Sequence, residues 1–188
     1  MTRFKWNDIL NKNRIKEYKS AKKNFDGRDE FENDYDRILF SASFRRLQDK
    51  AQVFPLEKLD FVRTRLTHSL EVSSIGKSLG MIIGLQLIPL TKGTDDEINF
   101  QMVEEIGNVL SCAGLIHDLG NPPFGHFGEV AIREWFASKL KKNKDGSFYF
   151  KFEEYEFKLE RQEALDLLNF EGNAQGLRIL TKIGRAHV

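Results

Sequence analysis

The sequence is poor in cysteine, in net charge and in long apolar runs. Its single cysteine, Cys112, excludes an internal disulfide framework and fits a reducing compartment. With 29 Lys plus Arg against 28 Asp plus Glu, the formal charge is +1, so no global basic field recommends nucleic acid as a partner. Anion binding must then come from local clusters. The most apolar stretch, Leu79 to Leu90, is interrupted by Gln86 and is shorter than the roughly 20 residues of a bilayer crossing. Charges in Met1-Thr2-Arg3-Phe4-Lys5-Trp6 occupy the place of a signal peptide's apolar segment. These absences lead us to expect a soluble cytoplasmic protein.

What is present is enough for one core: 188 residues, 40% hydrophobic and 12% aromatic. Residues 1–29 are charged and broken by Gly27, and read as an arm whose Trp6 and Phe25 dock. From Glu30 to Lys50 the residues Phe31, Tyr35, Ile38, Leu39, Ala42 and Leu47 recur at helical spacing. Pro55 marks an extended connector, and a helix is expected to begin near Thr64 or Leu66 and run through Ile82 to Gly84 or beyond. After a polar loop from Thr91 to Glu97, Asp95 or Asp96 is expected to cap a helix through Val103, Ile106, Leu110 and Ile116 that Gly120 terminates. A further helix is expected from about Gly128 to Lys141, with Val130, Ile132, Trp135 and Phe136 buried. Alternation of Phe148, Phe150 and Phe152 predicts at most a short β-hairpin near 147–158, and helix returns over 161–182 with a break around Gly172. The fold class is all-α.

Chemistry concentrates in Ile116-His117-Asp118-Leu119-Gly120-Asn121-Pro122-Pro123-Phe124-Gly125-His126-Phe127-Gly128-Glu129, at the junction of two helical patterns. An adjacent His-Asp pair at a helix end can offer one nitrogen and one oxygen to one divalent ion, and His68 supplies a third donor from another helix. Such an ion polarises a phosphate oxygen and activates water. Imidazole ligands argue against a pure magnesium site and for manganese, iron, cobalt, nickel or zinc. Each histidine alone could equally cap a helix or satisfy a core hydrogen bond. Three donors also leave the set one carboxylate short. Arg45, Arg46 and Lys50 read as mostly solvated, with contact of one of them to phosphate as the alternative, Phe124 and Phe127 as loop packing rather than base stacking, and Phe148 to Phe152 as core or interface.

The chain resembles the deoxyguanosine triphosphate triphosphohydrolase family of HD-domain phosphohydrolases. The matching segments are Asp34-Tyr35-Asp36-Arg37-Ile38-Leu39-Phe40-Ser41, the run from Phe44 to Pro55, Arg63-Thr64-Arg65-Leu66-Thr67-His68-Ser69-Leu70-Glu71-Val72, the His117 stretch, and Asn169-Phe170-Glu171-Gly172-Asn173-Ala174-Gln175. The resemblance implies an HD-domain helical bundle over residues 30–182 and hydrolysis of a deoxynucleoside triphosphate to deoxynucleoside and tripolyphosphate. It implies His68, His117 and Asp118 as ligands of a divalent ion (manganese, magnesium, cobalt, iron or nickel), and Arg65 as the phosphate-binding arginine. It makes Gln52 the group that hydrogen-bonds the sugar 3′-hydroxyl, and His126 with Glu129 the catalytic pair. A histidine titrating near neutrality suits protonation of the leaving 5′-oxygen, and Glu129 three residues on shares its helical face. Glu129 could instead only complement the positive end of its helix.

Family members continue far beyond this length and take a later carboxylate as the last ligand. The chain is therefore expected to be an incomplete HD domain, with Asp166 unassigned and with little or no activity by itself. Residues 183–188, Ile-Gly-Arg-Ala-His-Val, lack a family counterpart and read as translated sequencing-adapter DNA, so they are expected to be a non-native tail. Homo-oligomerisation of the full-length protein and single-stranded DNA as a partner are implied by the family alone. The other readings are an HD phosphohydrolase of signalling nucleotides, which Gln52 and the Asn121-to-Glu129 loop disfavour, and a non-catalytic HD regulatory or nucleic-acid-binding module.

Overall fold

In the computed structural model, residues 5–13, 27–50 and 62–183 are described. They are mostly helical, with one small three-stranded antiparallel sheet. The chain divides into two compact units at the His117–Asp118 peptide bond.

The first unit holds α1 (Trp6–Ile9), α2 (Glu30–Leu39), α3 (Ala42–Arg45), a 3₁₀ turn (Arg46–Asp49), α4 (Arg65–Thr91) and α5 (Phe100–Ile116). The helical pattern expected from Glu30 to Lys50 is broken after Phe40. Ser41 takes extended backbone there, and its hydroxyl accepts the Phe44 N–H at 3.1 Å, starting a new helix. Thr64 caps α4 by accepting from the Thr67 backbone, in agreement with the expected start. The cap of α5 is Asn99, whose side chain accepts from Met102 N–H, and neither Asp95 nor Asp96. Those two aspartates instead hold the N-terminal arm: Asp95 pairs with Lys5 at 2.8 Å, and Asp96 accepts from the Trp6 backbone at 2.7 Å. Leu10 then enters a core made with Ile98, Met102, Val103 and Ile106, and Trp6 packs against it. The dock expected of Phe25 and the connector around Pro55 lie outside the described residues.

Helices α4 and α5 pack through small residues. A Cβ on Gly80 would stand 2.9 Å from Gly107 Cα, and one on Gly114 would stand 2.5 Å from Ser73 Cα, so the backbones meet without intervening side chains. Ser73 and Ser111 join their hydroxyls at 2.8 Å in this seam. The large aliphatic residues of α4, Ile75, Leu79, Ile82, Ile83 and Leu90, are exposed. Counting only Leu79 to Leu90 underestimates the helix, since at 27 residues α4 is long and apolar enough to cross a membrane by length and composition.

The second unit contains α6 (Gly125–Lys139), β1 (Lys141–Lys142), β2 (Phe148–Phe152), β3 (Tyr155–Leu159), α7 (Arg161–Leu168) and α8 (Gly172–Ile183). The expected hairpin is present, with Phe150 opposite Phe157, and β1 adds a third strand that two lysines gave no reason to expect. Trp135 and Phe136 of α6 meet Phe150 edge to face at 6.1 and 5.8 Å, tying helix to hairpin. Only Gly128 and Glu129 of α6 are buried, so the expectation of a buried side made of Val130, Ile132, Trp135 and Phe136 is corrected: Val130 and Trp135 are exposed and Ile132 and Phe136 half-buried. Phe124 and Phe127 are 74% and 77% exposed rather than packed into the loop. Gly120 ends no helix through a left-handed backbone; α5 stops at Ile116, and Gly120 serves close approach, as a Cβ there would meet the Gly172 carbonyl oxygen at 2.0 Å.

Candidate metal centre and catalytic pair

His68 lies one turn into α4, and His117 is the residue on which α5 ends. The seam at Gly114 and Ser73 lets these helices approach, and the two imidazole rings stand edge to face at 5.1 Å between centroids. Asp118 follows by one peptide bond and is buried. One donor atom from each of His68, His117 and Asp118 lies within 4.8 Å of the others, close enough to share one ion. Two further contacts fit a metal. The Gly114 carbonyl is 2.8 Å from His117 Nδ1 and can only accept, which puts the proton on Nδ1 and the lone pair on Nε2. Asn121 Nδ2 donates to Asp118 Oδ1 at 2.7 Å, fixing the rotation of that carboxylate. Two imidazoles and a carboxylate, with His117 and Asp118 steadied from behind, suit a borderline divalent ion better than a purely oxygen-seeking one.

Arg65 is the first residue of α4, one turn before His68 on the same helix. It is buried, and its backbone N–H donates to the Lys50 carbonyl at 3.0 Å. Gln52 lies outside the described residues.

His126 and Glu129 share the first turn of α6, a helix entered through Phe124 in left-handed backbone at φ 66°. His126 Nδ1 donates to Glu129 Oε2 at 2.9 Å, leaving Nε2 on an imidazole that is 88% exposed while the carboxylate is buried. The hydrogen bond from His126 holds the Glu129 carboxyl below its usual range, against the cost of burial, with the Gly172 N–H adding to the effect. In return the Glu129 carboxylate, first by hydrogen bond and then by charge, raises His126 above the ordinary histidine value. Asp166 is engaged elsewhere, by Arg178 at 2.6 Å and Gln162 at 2.9 Å.

The sequence pattern assigns Gly114, Asn121 and Gly172 no individual part in the site. Asn121 was detectable in principle, since it lies three residues after Asp118 in a tight turn; the two glycines act through the absence of a side chain, which spacing does not reveal.

A model of the HD domain matches residues 65–179. Among curated relatives, a "Deoxyguanosinetriphosphate triphosphohydrolase-like protein" of Listeria monocytogenes serovar 1/2a is 49% identical over 181 residues, 96% of this chain and 37% of its own length. One of the same name from Synechocystis sp. is 43% identical over 190 residues, 98% of this chain and 38% of its own. A "Probable deoxyguanosinetriphosphate triphosphohydrolase" of Pseudomonas aeruginosa is 41% identical over 162 residues, covering 85% and 31%. The chain thus spans between 31% and 38% of the length of these relatives, and the motif resemblance is borne out along most of it. With its two histidines and one aspartate inside the matched segment, the chain belongs to the HD domain family.

Proposed function

We propose that the protein containing this chain is a cytoplasmic metal-dependent phosphohydrolase that cleaves deoxynucleoside triphosphates, dGTP or others, into deoxynucleoside and tripolyphosphate. The observation that carries this reading is the His68, His117 and Asp118 donor set, accompanied in the same chain by a histidine held on a buried carboxylate. A divalent ion bound by that set supplies Lewis acidity at phosphate and an activated water. His68 and His117 hold it through imidazole nitrogen and Asp118 through carboxylate oxygen. Arg65 provides a fixed, permanent positive charge for the triphosphate, and Gln52 a hydrogen bond for the sugar 3′-hydroxyl.

The reaction breaks the bond between the α-phosphorus and the 5′-oxygen as water oxygen adds to phosphorus. The departing 5′-oxygen needs a proton. His126 gives it from Nε2, because Nδ1–H is committed to Glu129, and the carboxylate stabilises the imidazolium before transfer. The relatives' printed names agree with this substrate class.

The test is product analysis with a full-length version, manganese(II) and each deoxynucleoside triphosphate. Tripolyphosphate with free deoxynucleoside is expected. Orthophosphate or pyrophosphate would select a phosphohydrolase of another class, such as one acting on signalling nucleotides. No turnover with any nucleotide would leave a non-catalytic HD module.

A further inference from the structure

Two contacts meet at Gly172, the first residue of α8. Its backbone N–H donates to Glu129 Oε1 at 2.8 Å, on the carboxylate whose other oxygen binds His126. The space a side chain would take at Gly172 is filled by the Asn121 amide: a Cβ there would lie 2.0 Å from Asn121 Oδ1, 3.1 Å from its Cγ and 2.8 Å from Glu129 Oε1. The nitrogen of that same amide holds Asp118. Asn121 therefore cannot rotate away from a new methyl group without releasing Asp118. Glu129 cannot retreat without stretching its bonds to Gly172 and His126. The start of α8 is also pressed on this turn, since a Cβ on Gly120 would meet Gly172 O at 2.0 Å and Gly176 N at 2.2 Å.

We infer that Gly172 is a shared positioning residue that sets, through Asn121, the Asp118 carboxylate of the metal centre and, through its own N–H, the Glu129 carboxylate that orients His126. Asn121 is the positioning residue for the metal arm alone. Each acts through the group it holds. This deepens the proposed function and rests on its assignment of Asp118 and His126.

The experiment uses the full-length protein, with two readouts that need no nucleotide. Manganese(II) affinity reports Asp118, and NMR titration of isotope-labelled imidazole in metal-free protein reports His126, whose charged neighbours are Glu129, Glu171 and Arg133. Asn121→Ala is expected to weaken manganese binding about 10–100-fold, the usual effect of losing a group that supports a ligand, with the His126 titration unchanged. Gly172→Ala is expected to weaken manganese binding to a similar degree and also to shift the His126 titration toward lower pH. In Gly172→Ala combined with Asn121→Ala the clash with the Asn121 amide is gone and only the contact with Glu129 Oε1 remains, so manganese affinity should fall no further than in Asn121→Ala alone. Should Gly172→Ala fail to fold, the double variant is expected to fold and to show that affinity. Manganese affinity within two-fold of wild type in Gly172→Ala, multiplicative losses in the double variant, or a double variant that does not fold would each overturn the inference. A wild type that shows the whole pattern yet leaves deoxynucleoside triphosphates intact would reject the proposed reaction and leave the positioning role standing.

Discussion

Ser73 and Gly114 face each other across the α4–α5 seam so closely that a methyl group on the glycine would stand 2.5 Å from Ser73 Cα and 2.6 Å from its backbone nitrogen. Neither obstacle is a flexible side-chain tip, so Gly114→Ala must push the helices apart. Overpacking of this kind costs about 1–3 kcal/mol, which outweighs the roughly 1 kcal/mol alanine gains over glycine in an isolated helix. Because His117 hangs from the Gly114 carbonyl, manganese affinity should fall together with stability. Ile82→Ala on the opposite, exposed face of α4 is expected to change stability by only about 0.5 kcal/mol. Urea unfolding of the two variants decides this, and equal midpoints would show that the seam tolerates separation.

The His126–Glu129 pair sets a pH dependence with a definite sign. Glu129 raises the His126 pKa, and a general acid, the role proposed for His126, works only while protonated, so the rate should fall as pH rises through that raised value. Glu129→Gln removes the charge and the strongest acceptor. The alkaline limb should then move toward lower pH, with the metal retained. Glu129 itself is held below the ordinary carboxyl range and stays ionised into mildly acidic solution, so its protonation is not expected to limit the rate near neutrality. A pH profile of the full-length variant is the measurement; an alkaline limb that stays in place would separate Glu129 from His126 and leave only the helix-end role.

The contrast between these two sites shows what the sequence could and could not convey. The proposed site residues His117, Asp118, His126 and Glu129 stand out in the sequence because the proposed chemistry demands those residue types, and a spacing of three puts His126 and Glu129 on one helical face. The beginnings of α4 and α8 followed from Thr64 and Gly172 in the expected way. The break at Ser41 was lost because the apolar spacing continues across it, while a single hydroxyl decides that a helix restarts. The caps at Asp95 and Asp96 went to the wrong helix end because the arm's Lys5 and Trp6, distant in sequence, claim those carboxylates. Burial on α4 was hardest to read: its buried face is built from serine and glycine and its exposed face from isoleucine and leucine, the reverse of the usual helical stripe.

The proposed metal ligands and the proposed proton donor should separate under mutation. In the full-length protein, His117→Ala or Asp118→Ala is expected to abolish manganese binding and turnover together, since each deletes a donor from a cluster whose members lie within 4.8 Å. His126→Ala should keep the metal and lose rate by about 10²-fold or more, the scale of a missing general acid. Metal content and initial rates are measured on the same preparations. Loss of the metal in His126→Ala would move that histidine from acid to ligand.

Cys112 offers a check on the fold that needs no activity at all. Its thiol lies half-buried on α5 and donates to the Phe31 carbonyl of α2 at 3.6 Å. Burial first, then the charges of Asp34 and Asp29, push its pKa up to about 12 from an ordinary value of 9.0. A rise of that size leaves about 10³-fold less thiolate at pH 8, and thiolate is the form that alkylates. Iodoacetamide should therefore modify the native chain slowly and the urea-unfolded chain fast, with the native rate climbing as α2 is loosened. Asp29→Ala, which removes the cap that accepts from the Glu32 backbone, is expected to loosen α2 and speed the reaction, and it also removes a charge that raises the thiol pKa. The electrostatic change and the loosening act in the same direction, so the variant is read with Asp34→Asn as a partner. That substitution removes a charge and leaves the cap intact. Equal acceleration in both would assign the protection of Cys112 to charge, and a larger effect in Asp29→Ala assigns it to the packing of α2 on α5.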